Sequence, residues 1–216
     1  WSFGGFGAER AIFSKGEMQA VFTLDHVQKS PAIFDSVKLD WMNGEYIRKY
    51  EKEELLKQMV RYFEENESFI TNPSLWRELL RERTFARKAL ELVAVRMRTL
   101  ADFGDLAAFL VTLPEYPVDL LIFKKGSKET TEKALALSQE LLRTIEMREF
   151  NKDRLSHYFN HLTLQHDFKV GELLHPLRVA LTGLRDSPGP FETAEVLGKA
   201  ECIQRIKTAI EKMREV

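Results

Sequence analysis

The sequence predicts an all-α protein, and three observations lead to this prediction. Apolar residues recur along most of the chain at the three- and four-residue spacing of amphipathic helices. Runs with the two-residue alternation of a half-buried strand are nearly absent. Glycine and proline, the residues that most often interrupt helices, number only 11 and 7 among 216 residues. We therefore expect about nine or ten helices and no repeat of fixed period.

The first half of the chain shows three helical segments with recognisable ends. Their apolar stripes cover 55–63, 75–93 and 99–113. Asn72 and Pro73 precede the second stripe as a capping residue and a first-turn proline. Thr99 is the expected N-cap of the third segment, and Pro114 ends it. Pro114 and Pro117 together mark a boundary in the chain.

The second half is also predicted to be helical, apart from one loop. Apolar stripes cover 134–145, 155–162, 173–181 and 203–213. The segment 182–190 is predicted as a loop, because it ends in three consecutive proline and glycine residues. A short helix is expected over 191–197, with a break at Gly198 before the last helix.

Composition excludes several classes of protein. The 32 Lys and Arg residues are balanced by 33 Asp and Glu, so the net charge is −1 and a strongly basic nucleic-acid-binding surface is disfavoured. The chain has no apolar run of about 18 residues, so no membrane span is expected. The single cysteine, Cys202, excludes an intramolecular disulfide and a multi-cysteine zinc site. A cytoplasmic location is expected, and residues 1–9 do not have the pattern of a signal peptide.

Three patterns that often mark catalytic or metal sites have a simpler interpretation here. The glycine-rich segment 4–7 has no preceding strand and no following Lys-Ser or Lys-Thr pair, so a flexible segment is favoured over a phosphate loop. His157 and His161 have a metal-ligand spacing, with His166 beyond them, but surface histidines are favoured over a metal site. Cys202 lies among apolar residues, which favours packing over a nucleophile.

Four arginines also occur at close spacing in the helical stripe that follows Pro73. They are Arg77, Arg81, Arg83 and Arg87. Alternating acidic and basic residues in this stretch indicate a solvated helix face with ion pairs, and phosphate contact is the alternative interpretation.

Six short motifs, in order along the chain, together resemble one known family. They are Ser-Pro-Ala-Ile-Phe-Asp at 30–35, Lys-Leu-Asp-Trp-Met-Asn-Gly-Glu-Tyr-Ile-Arg at 38–48, Arg-Met-Arg-Thr-Leu at 96–100, Pro-Leu-Arg-Val-Ala-Leu-Thr-Gly at 176–183, Ser-Pro-Gly-Pro-Phe-Glu at 187–192 and Leu-Gly-Lys at 197–199. This collinear set resembles the C-terminal part of bacterial glutamyl-tRNA synthetases, which are class I aminoacyl-tRNA synthetases.

The resemblance implies three regions and a non-catalytic role. Residues 1–52 correspond to the end of the stem-contact region, and 53–116 and 117–216 to two helical anticodon-binding subdomains. The family's histidine-containing ATP signature and its lysine-methionine-serine-lysine loop are both missing, and the Gln-Lys-Ser run at 28–30 is not that loop. ATP with Mg²⁺ is therefore expected only in a catalytic domain of the parent enzyme, and this chain alone is expected to be catalytically inactive, with no cofactor.

The resemblance also implies five anticodon-contacting residues. They are Arg96, Arg178, Ser187, Pro188 and Pro190. Ser187 stands where the family more often has threonine, and Pro190 where it has leucine. Without the resemblance, Arg96 would be an exposed residue near a helix end that interacts with the last carbonyls of that helix, and 182–190 a simple connection between helices.

Base chemistry explains why arginine would be used at position 96. Cytosine, the terminal base of glutamate anticodons, presents two adjacent acceptors, O2 and N3, on its pairing edge. Guanine, the terminal base of glutamine anticodons, presents two donors there, and a guanidinium can only donate. The resemblance thus implies that Arg96 favours glutamate tRNA over glutamine tRNA.

The function expected from the resemblance is recognition of the glutamate tRNA anticodon by a monomer that binds neither DNA nor membrane. The competing hypothesis is a helical protein-interaction module without RNA binding, because amphipathic helices alone are sufficient for that role.

Overall fold

The structure is a computed structural model that describes residues 12–23, 35–124 and 126–215. Within these residues it contains eleven α-helices and no strand, so the all-α prediction is confirmed. The helices are α1 (Lys15–Val21), α2 (Ser36–Lys49), α3 (Lys52–Asn66), α4 (Pro73–Leu80), α5 (Arg83–Val93), α6 (Asp102–Val111), α7 (Lys128–Thr144), α8 (Lys152–Gln165), α9 (Val170–Thr182), α10 (Pro190–Leu197) and α11 (Lys199–Arg214). Three short 3-10 helices connect them, at Glu67–Phe69, Val118–Leu121 and Met147–Glu149. The glycine-rich segment 4–7, the Gln-Lys-Ser run at 28–30 and the motif residues 30–34 lie outside the described residues.

The apolar stripe over 75–93 forms two helices instead of one. Asn72 caps α4 as predicted, since its side chain accepts a 3.3 Å hydrogen bond from the Leu75 N–H. The chain then leaves the helix at Glu82, whose carboxylate accepts hydrogen bonds from the first N–H groups of α5 at 2.8 and 2.5 Å. These backbone hydrogen bonds lower the pKa of Glu82. A glutamate inside the stripe thus acts as a helix cap, and the two helices explain part of the higher helix count.

The prediction that Thr99 caps the next helix is wrong. Helix α6 begins at Asp102 and ends at Val111. The Asp102 carboxylate accepts hydrogen bonds from the Arg98 N–H at 2.7 Å and the Thr99 N–H at 3.0 Å. Because an aspartate at the start of a helix captures the preceding donors, the residues before it fold into a turn and not into a longer helix.

Buried apolar side chains form two clusters along the chain. The first comes from α2 to α6 and centres on Trp76, which stacks on Phe63 at 5.8 Å and meets Phe103 edge-on at 5.4 Å between ring centroids. The second comes from Tyr116 and the helices after it, up to Met213. The subdomain limits at 52 and 116 remain predictions.

Arg205 on α11 joins the two clusters. Its side chain is 3% exposed, and its guanidinium donates to the carbonyls of Phe109 and Leu181, both at 2.7 Å. Its Nε also bonds to the Glu201 carboxylate at 2.6 Å. Since Phe109 lies in α6 and Leu181 in α9, one buried cation fixes the C-terminal ends of two helices against a third. The sequence pattern gives no sign of this contact.

None of the described helices is long and apolar enough to cross a lipid bilayer.

Candidate functional site

The loop between α9 and α10, residues 183–189, is where the sequence-predicted site residues meet. Gly183 ends α9 with a left-handed backbone, φ = +67°. A side chain there would place its Cβ 2.8 Å from the Pro114 Cγ, so glycine is required by both conformation and space. The Thr182 hydroxyl accepts a 3.2 Å hydrogen bond from the Leu184 N–H and holds the start of the loop. The loop therefore leaves α9 in a fixed direction.

Ser187 is the residue that both predicted arginines contact. It is 7% exposed. Its hydroxyl oxygen accepts a 3.1 Å hydrogen bond from Arg178 Nη1, and its carbonyl accepts a 2.7 Å hydrogen bond from Arg96 Nη2. One loop residue is thus held by one arginine from each of the two clusters of helices.

Arg178 approaches the loop from α9. Its Nη1 donates to the Arg185 carbonyl at 2.7 Å as well as to Ser187. Its Nη2 lies 3.4 Å from His175 Nδ1 on the preceding turn of the same helix. The guanidinium is half-buried, and its hydrogen bonds fix the direction in which it points.

Arg96 approaches the same loop from the turn that follows α5. Its Nη1 donates to the Asp186 carbonyl at 3.0 Å, and its Nη2 to the Ser187 carbonyl. These carbonyls belong to the loop and not to α5, so the Arg96 guanidinium bonds to the loop instead of to the last carbonyls of its own helix. A guanidinium has five N–H groups, and these two hydrogen bonds leave three for other acceptors.

The two predicted prolines lie at the end of the loop. Pro190 is the first residue of α10, where its fixed φ suits a helix start and its missing N–H has no cost. Pro188 borders a surface groove, while Pro190 is outside the lining of that groove.

The groove lies between the end of α5, the start of α8, the loop and α10. Its volume is about 540 Å³. Its lining residues are Lys88, Glu91, Leu92, Val95, Arg96, Lys152, Ser187, Pro188, Gly189, Glu192, Glu195 and Val196. Three of the five predicted site residues therefore line one groove, and Arg178, which is outside the lining, donates to Ser187 in that lining.

The groove combines polar groups with apolar surface. Glu91 pairs with Arg87 at 2.8 Å, and Glu195 accepts a 2.9 Å hydrogen bond from the Lys152 N–H. Val95 is 63% exposed although it is apolar, and it lines the groove together with Pro188. The remaining N–H groups of Arg96, beside this exposed apolar surface, suit a flat heterocycle that carries hydrogen-bond acceptors. Sequence reasoning missed Val95, which directly precedes the Arg-Met-Arg-Thr-Leu motif.

Lys88 and Lys152 also line the groove and were missed. Lys88 lies on α5, directly after Arg87, the last of the four arginines whose charge pattern indicates a solvated face. Lys152 begins α8, next to Asn151, whose side chain caps that helix at 3.1 Å from the Arg154 N–H. The capping residue predicts from sequence where α8 begins, but it does not predict that the first residue of the helix lines a groove.

The four arginines between positions 77 and 87 form ion pairs with carboxylates. Arg77 pairs with Glu67, Arg81 with Glu78 at 3.1 Å, Arg83 with Glu53 at 2.9 Å, and Arg87 with both Glu53 and Glu91. Their side chains are exposed. This arrangement is the ion-paired helix face that the charge pattern indicates.

The other candidate residues lie away from the groove. His157 and His161 are exposed on α8. Among the described residues, no three His, Cys, Asp or Glu side chains are grouped so that they could hold a metal ion. Cys202 is fully buried, and burial raises the pKa of its thiol to about 12, which makes a thiolate unfavourable.

Comparisons with known proteins agree on one family. The family model described as "Anticodon binding domain" matches residues 45–210. Among curated proteins, the chain is 34% identical to a glutamate–tRNA ligase of Clostridium novyi and 35% identical to that of Clostridium acetobutylicum. These alignments cover 97% and 94% of this chain, but 41% and 39% of the relatives. The chain thus spans about two fifths of the length of the curated relatives it matches.

Solved structures give the same result. The crystal structure of a glutamate tRNA ligase from Elizabethkingia meningosepticum in complex with its amino acid superposes with a TM-score of 0.67 at 26% identity. That match covers 93% of this chain and 37% of the other. The glutamate–tRNA synthetase of Elizabethkingia anophelis gives a TM-score of 0.67 at 27% identity. Because the family model covers most of its length, the chain belongs to the anticodon binding domain family.

Proposed function

We propose that this chain reads the anticodon of glutamate tRNA as part of a glutamate–tRNA ligase. The observation that carries the proposal is the convergence of Arg96 and Arg178 on Ser187, beside a groove of about 540 Å³. Family membership and the names of the curated relatives support the same function. Unpaired loop bases are the usual targets of sequence-specific RNA recognition, and an anticodon loop supplies them.

In this proposal Arg96 discriminates the terminal anticodon base. Two of its N–H groups hold the Asp186 and Ser187 carbonyls, and the others donate to the O2 and N3 acceptors of cytosine. Its anchoring reduces the freedom of the side chain before RNA arrives, which lowers the entropy lost on binding. Guanine would place donors against donors and is disfavoured.

The loop and Arg178 are proposed to contact the other two anticodon bases. Arg178, Ser187, Pro188 and Pro190 would contribute here, with Arg178 setting the position of the loop backbone. Pro188 and Val95 supply apolar surface on which a base can rest.

The catalytic chemistry of the ligase is proposed to require residues outside this chain. Its 216 residues contain neither the ATP signature nor the lysine-methionine-serine-lysine loop. ATP and Mg²⁺ would therefore be handled elsewhere in the parent enzyme, a cytoplasmic protein. Pyrophosphate exchange with glutamate, ATP and tRNA should stay at background for this chain alone, and exchange above background would contradict the assignment.

The competing hypothesis, a helical protein-interaction module without RNA binding, has no observation in its favour beyond the amphipathic helices that any helical domain contains. The two hypotheses are separated by filter binding with glutamate tRNA and an unrelated tRNA at several salt concentrations. A preference for glutamate tRNA that persists at physiological salt supports anticodon recognition. Equal, weak binding that salt abolishes would support the competitor.

A further inference from the structure

His175 connects Arg178 to the turn at Val118–Leu121. Its Nε2 lies 2.9 Å from the Leu120 carbonyl, and its Nδ1 lies 3.4 Å from Arg178 Nη2. The imidazole ring lies 5.5 Å from the Phe123 ring, between centroids. Phe123 in turn packs against Gly171, where any side chain would collide with the ring. The imidazole is therefore held on one side by a backbone carbonyl and an aromatic ring, and it meets the guanidinium on the other.

The two neighbours of His175 define its protonation state. A carbonyl only accepts, so Nε2 must carry the proton that points to Leu120. A guanidinium only donates, so Nδ1 must offer its lone pair to Arg178. Both requirements are met by one neutral tautomer and by no protonated form. Burial and the charge of Arg178 lower the pKa of His175, which agrees with a neutral ring.

We propose that His175 is a positioning residue for Arg178: neutral Nδ1 holds the guanidinium against the loop, and protonation of Nδ1 releases it. The proposal rests on the proposed function for its effect on RNA, but not for the contact itself. Arg178 contacts Ser187, and Ser187 contacts Arg96. A change at His175 therefore reaches both anticodon-reading arginines through consecutive hydrogen bonds.

Among the charged groups around His175, Arg178 is the one that protonation of the imidazole would repel. On its own helix these are Arg178 and Glu172, and Glu172 pairs with Lys169 at 3.5 Å. Asp119 lies in the adjoining 3-10 turn and is exposed. Lys124 lies 5.2 Å from the centroid of the Phe123 ring. Of these, Arg178 is the group whose charge acts on the pKa of His175, and a proton on Nδ1 would face it directly.

The test uses three variants of the 216-residue chain. His175→Gln keeps an amide donor for Leu120 and an amide oxygen for Arg178 but does not titrate. His175→Ala removes both groups. His157→Gln is the matched control, because His157 is exposed on α8 and lies outside the groove lining. Circular dichroism verifies that each variant is folded.

The first measurement is the affinity for glutamate tRNA, divided by the affinity for an unrelated tRNA, at about pH 7.5 and at a pH well below the pKa that NMR gives for the His175 ring in the folded chain. The division removes the general gain in RNA binding that a more positive protein has at low pH. We expect the ratio to fall about tenfold at low pH in the wild-type chain and in His157→Gln. In His175→Gln the ratio should stay nearly constant. In His175→Ala it should be low at both pH values. Equal pH profiles for wild type and His175→Gln, or wild-type behaviour of His175→Ala, would overturn the proposal.

The second measurement needs no RNA and separates this proposal from the proposed function. Nitrogen-15 NMR of the His175 ring reports its tautomer and its titration. We expect the proton on Nε2, and a pKa that rises in Arg178→Ala because the neighbouring cation is gone. A proton on Nδ1, or a pKa unchanged in Arg178→Ala, would overturn the positioning contact whatever the RNA result. If the NMR results are as expected but wild type shows no preference for glutamate tRNA, the contact is supported and the proposed function fails.

Discussion

Arg96 and Ser187 are 91 residues apart in sequence, and a 2.7 Å hydrogen bond joins the guanidinium of the first to the carbonyl of the second. The contact joins the turn after α5 to the loop before α10, and Leu184 of this loop packs against the same cluster as Met97 of the turn. In the proposed function, base recognition by Arg96 would therefore be coupled to the conformation of the loop that would meet the other two bases.

Arg96→Gln tests base discrimination. Glutamine can both donate and accept, so it no longer presents only donors to guanine. A bidentate arginine contact is worth about 1–3 kcal/mol of discrimination, so the preference for an anticodon ending in C over one ending in G should shrink roughly tenfold or more. Binding to two tRNAs that differ only in this base measures the effect. An equal loss for both tRNAs would reduce Arg96 to a loop-holding or phosphate-contacting residue.

Arg178→Ala tests the loop contact. We expect glutamate tRNA binding to weaken by about 1–3 kcal/mol, the usual worth of a specific base contact, because Arg178 is proposed to contact a base. Its loss also removes the donor that holds the Arg185 carbonyl and the Ser187 hydroxyl. Arg148→Ala is the control, since Arg148 is exposed and lies outside the groove lining. A filter-binding titration compares the two. If Arg178→Ala folds normally and binds like the control, the arginine is only structural.

Gly183→Ala tests the exit of the loop from α9. The left-handed φ of +67° and the 2.8 Å approach to Pro114 both oppose a Cβ, so we expect a loss of about 1–3 kcal/mol of stability. Gly16→Ala is the matched control, because Gly16 is inside α1 and its Cβ would meet no atom within 4 Å. Alanine there should be neutral or stabilise by up to about 1 kcal/mol. Urea denaturation measures both variants, and equal effects would contradict the steric argument.

Arg205→Ala tests the junction of the two clusters. Removing the guanidinium leaves the buried carbonyls of Phe109 and Leu181 without their donor, so we expect destabilisation of about 3–5 kcal/mol. Lys207→Ala, which removes only an exposed pair with Glu211, should cost less than about 1 kcal/mol. Thermal unfolding of the two variants gives the comparison. A loss at Arg205 no larger than at Lys207 would mean that the buried hydrogen bonds contribute little.

Tyr116→Phe tests stability at alkaline pH. Burial raises the pKa of the Tyr116 hydroxyl to about 12, above its usual value of 10.0. Between these values the unfolded chain has lost the proton and the folded chain retains it, so stability falls as pH rises through this window. The variant removes a titrating group, and its free energy of unfolding should fall less steeply above pH 10, by on the order of 1 kcal/mol. Urea denaturation at pH 8 and about pH 11 measures the difference, and parallel curves for both proteins would contradict it.

The same variant should be tolerated at neutral pH. The buried Tyr116 hydroxyl has no hydrogen-bond partner among the residues that the structure describes. Replacing it with hydrogen therefore leaves no other group unsatisfied, and the change in stability at pH 7 should stay within about 1 kcal/mol. A larger loss would show that the hydroxyl makes a bond that stabilises the fold.

Local chemistry explains which parts of the fold were predictable from sequence. Asn72 followed by a proline marks a helix start that the structure confirms, and Gly198 marks a break that it also confirms. Both signals act within four residues of the backbone they control. Thr99 failed as a cap because its hydroxyl donates to the Asp102 carboxylate at 3.1 Å instead of accepting from a backbone N–H of the helix. A choice between two nearby capping residues depends on packing that the sequence does not display.

The candidate site was less predictable because its contacts join distant residues. Family resemblance selected Arg96, Arg178 and the loop, but periodicity alone would have left both arginines on helix surfaces. No pattern indicates that they meet on Ser187, although the three-residue spacing of His175 and Arg178 does place these two side chains on one face of a helix. Arg205 looks like one more charged residue of an amphipathic helix, although its guanidinium is buried. Side chains whose partners lie 24 to 96 residues away require the folded chain.

The buried position of Arg205 has a consequence for dividing the protein into pieces. A chain cut near 114–117 would separate the Phe109 carbonyl from the arginine that satisfies it. The C-terminal piece would then carry an exposed cation and the end of α9, and the N-terminal piece a carbonyl without its donor. Neither piece is therefore expected to behave as an autonomous module when produced alone, whereas the two mixed together should reassociate, because each supplies the partner that the other lacks.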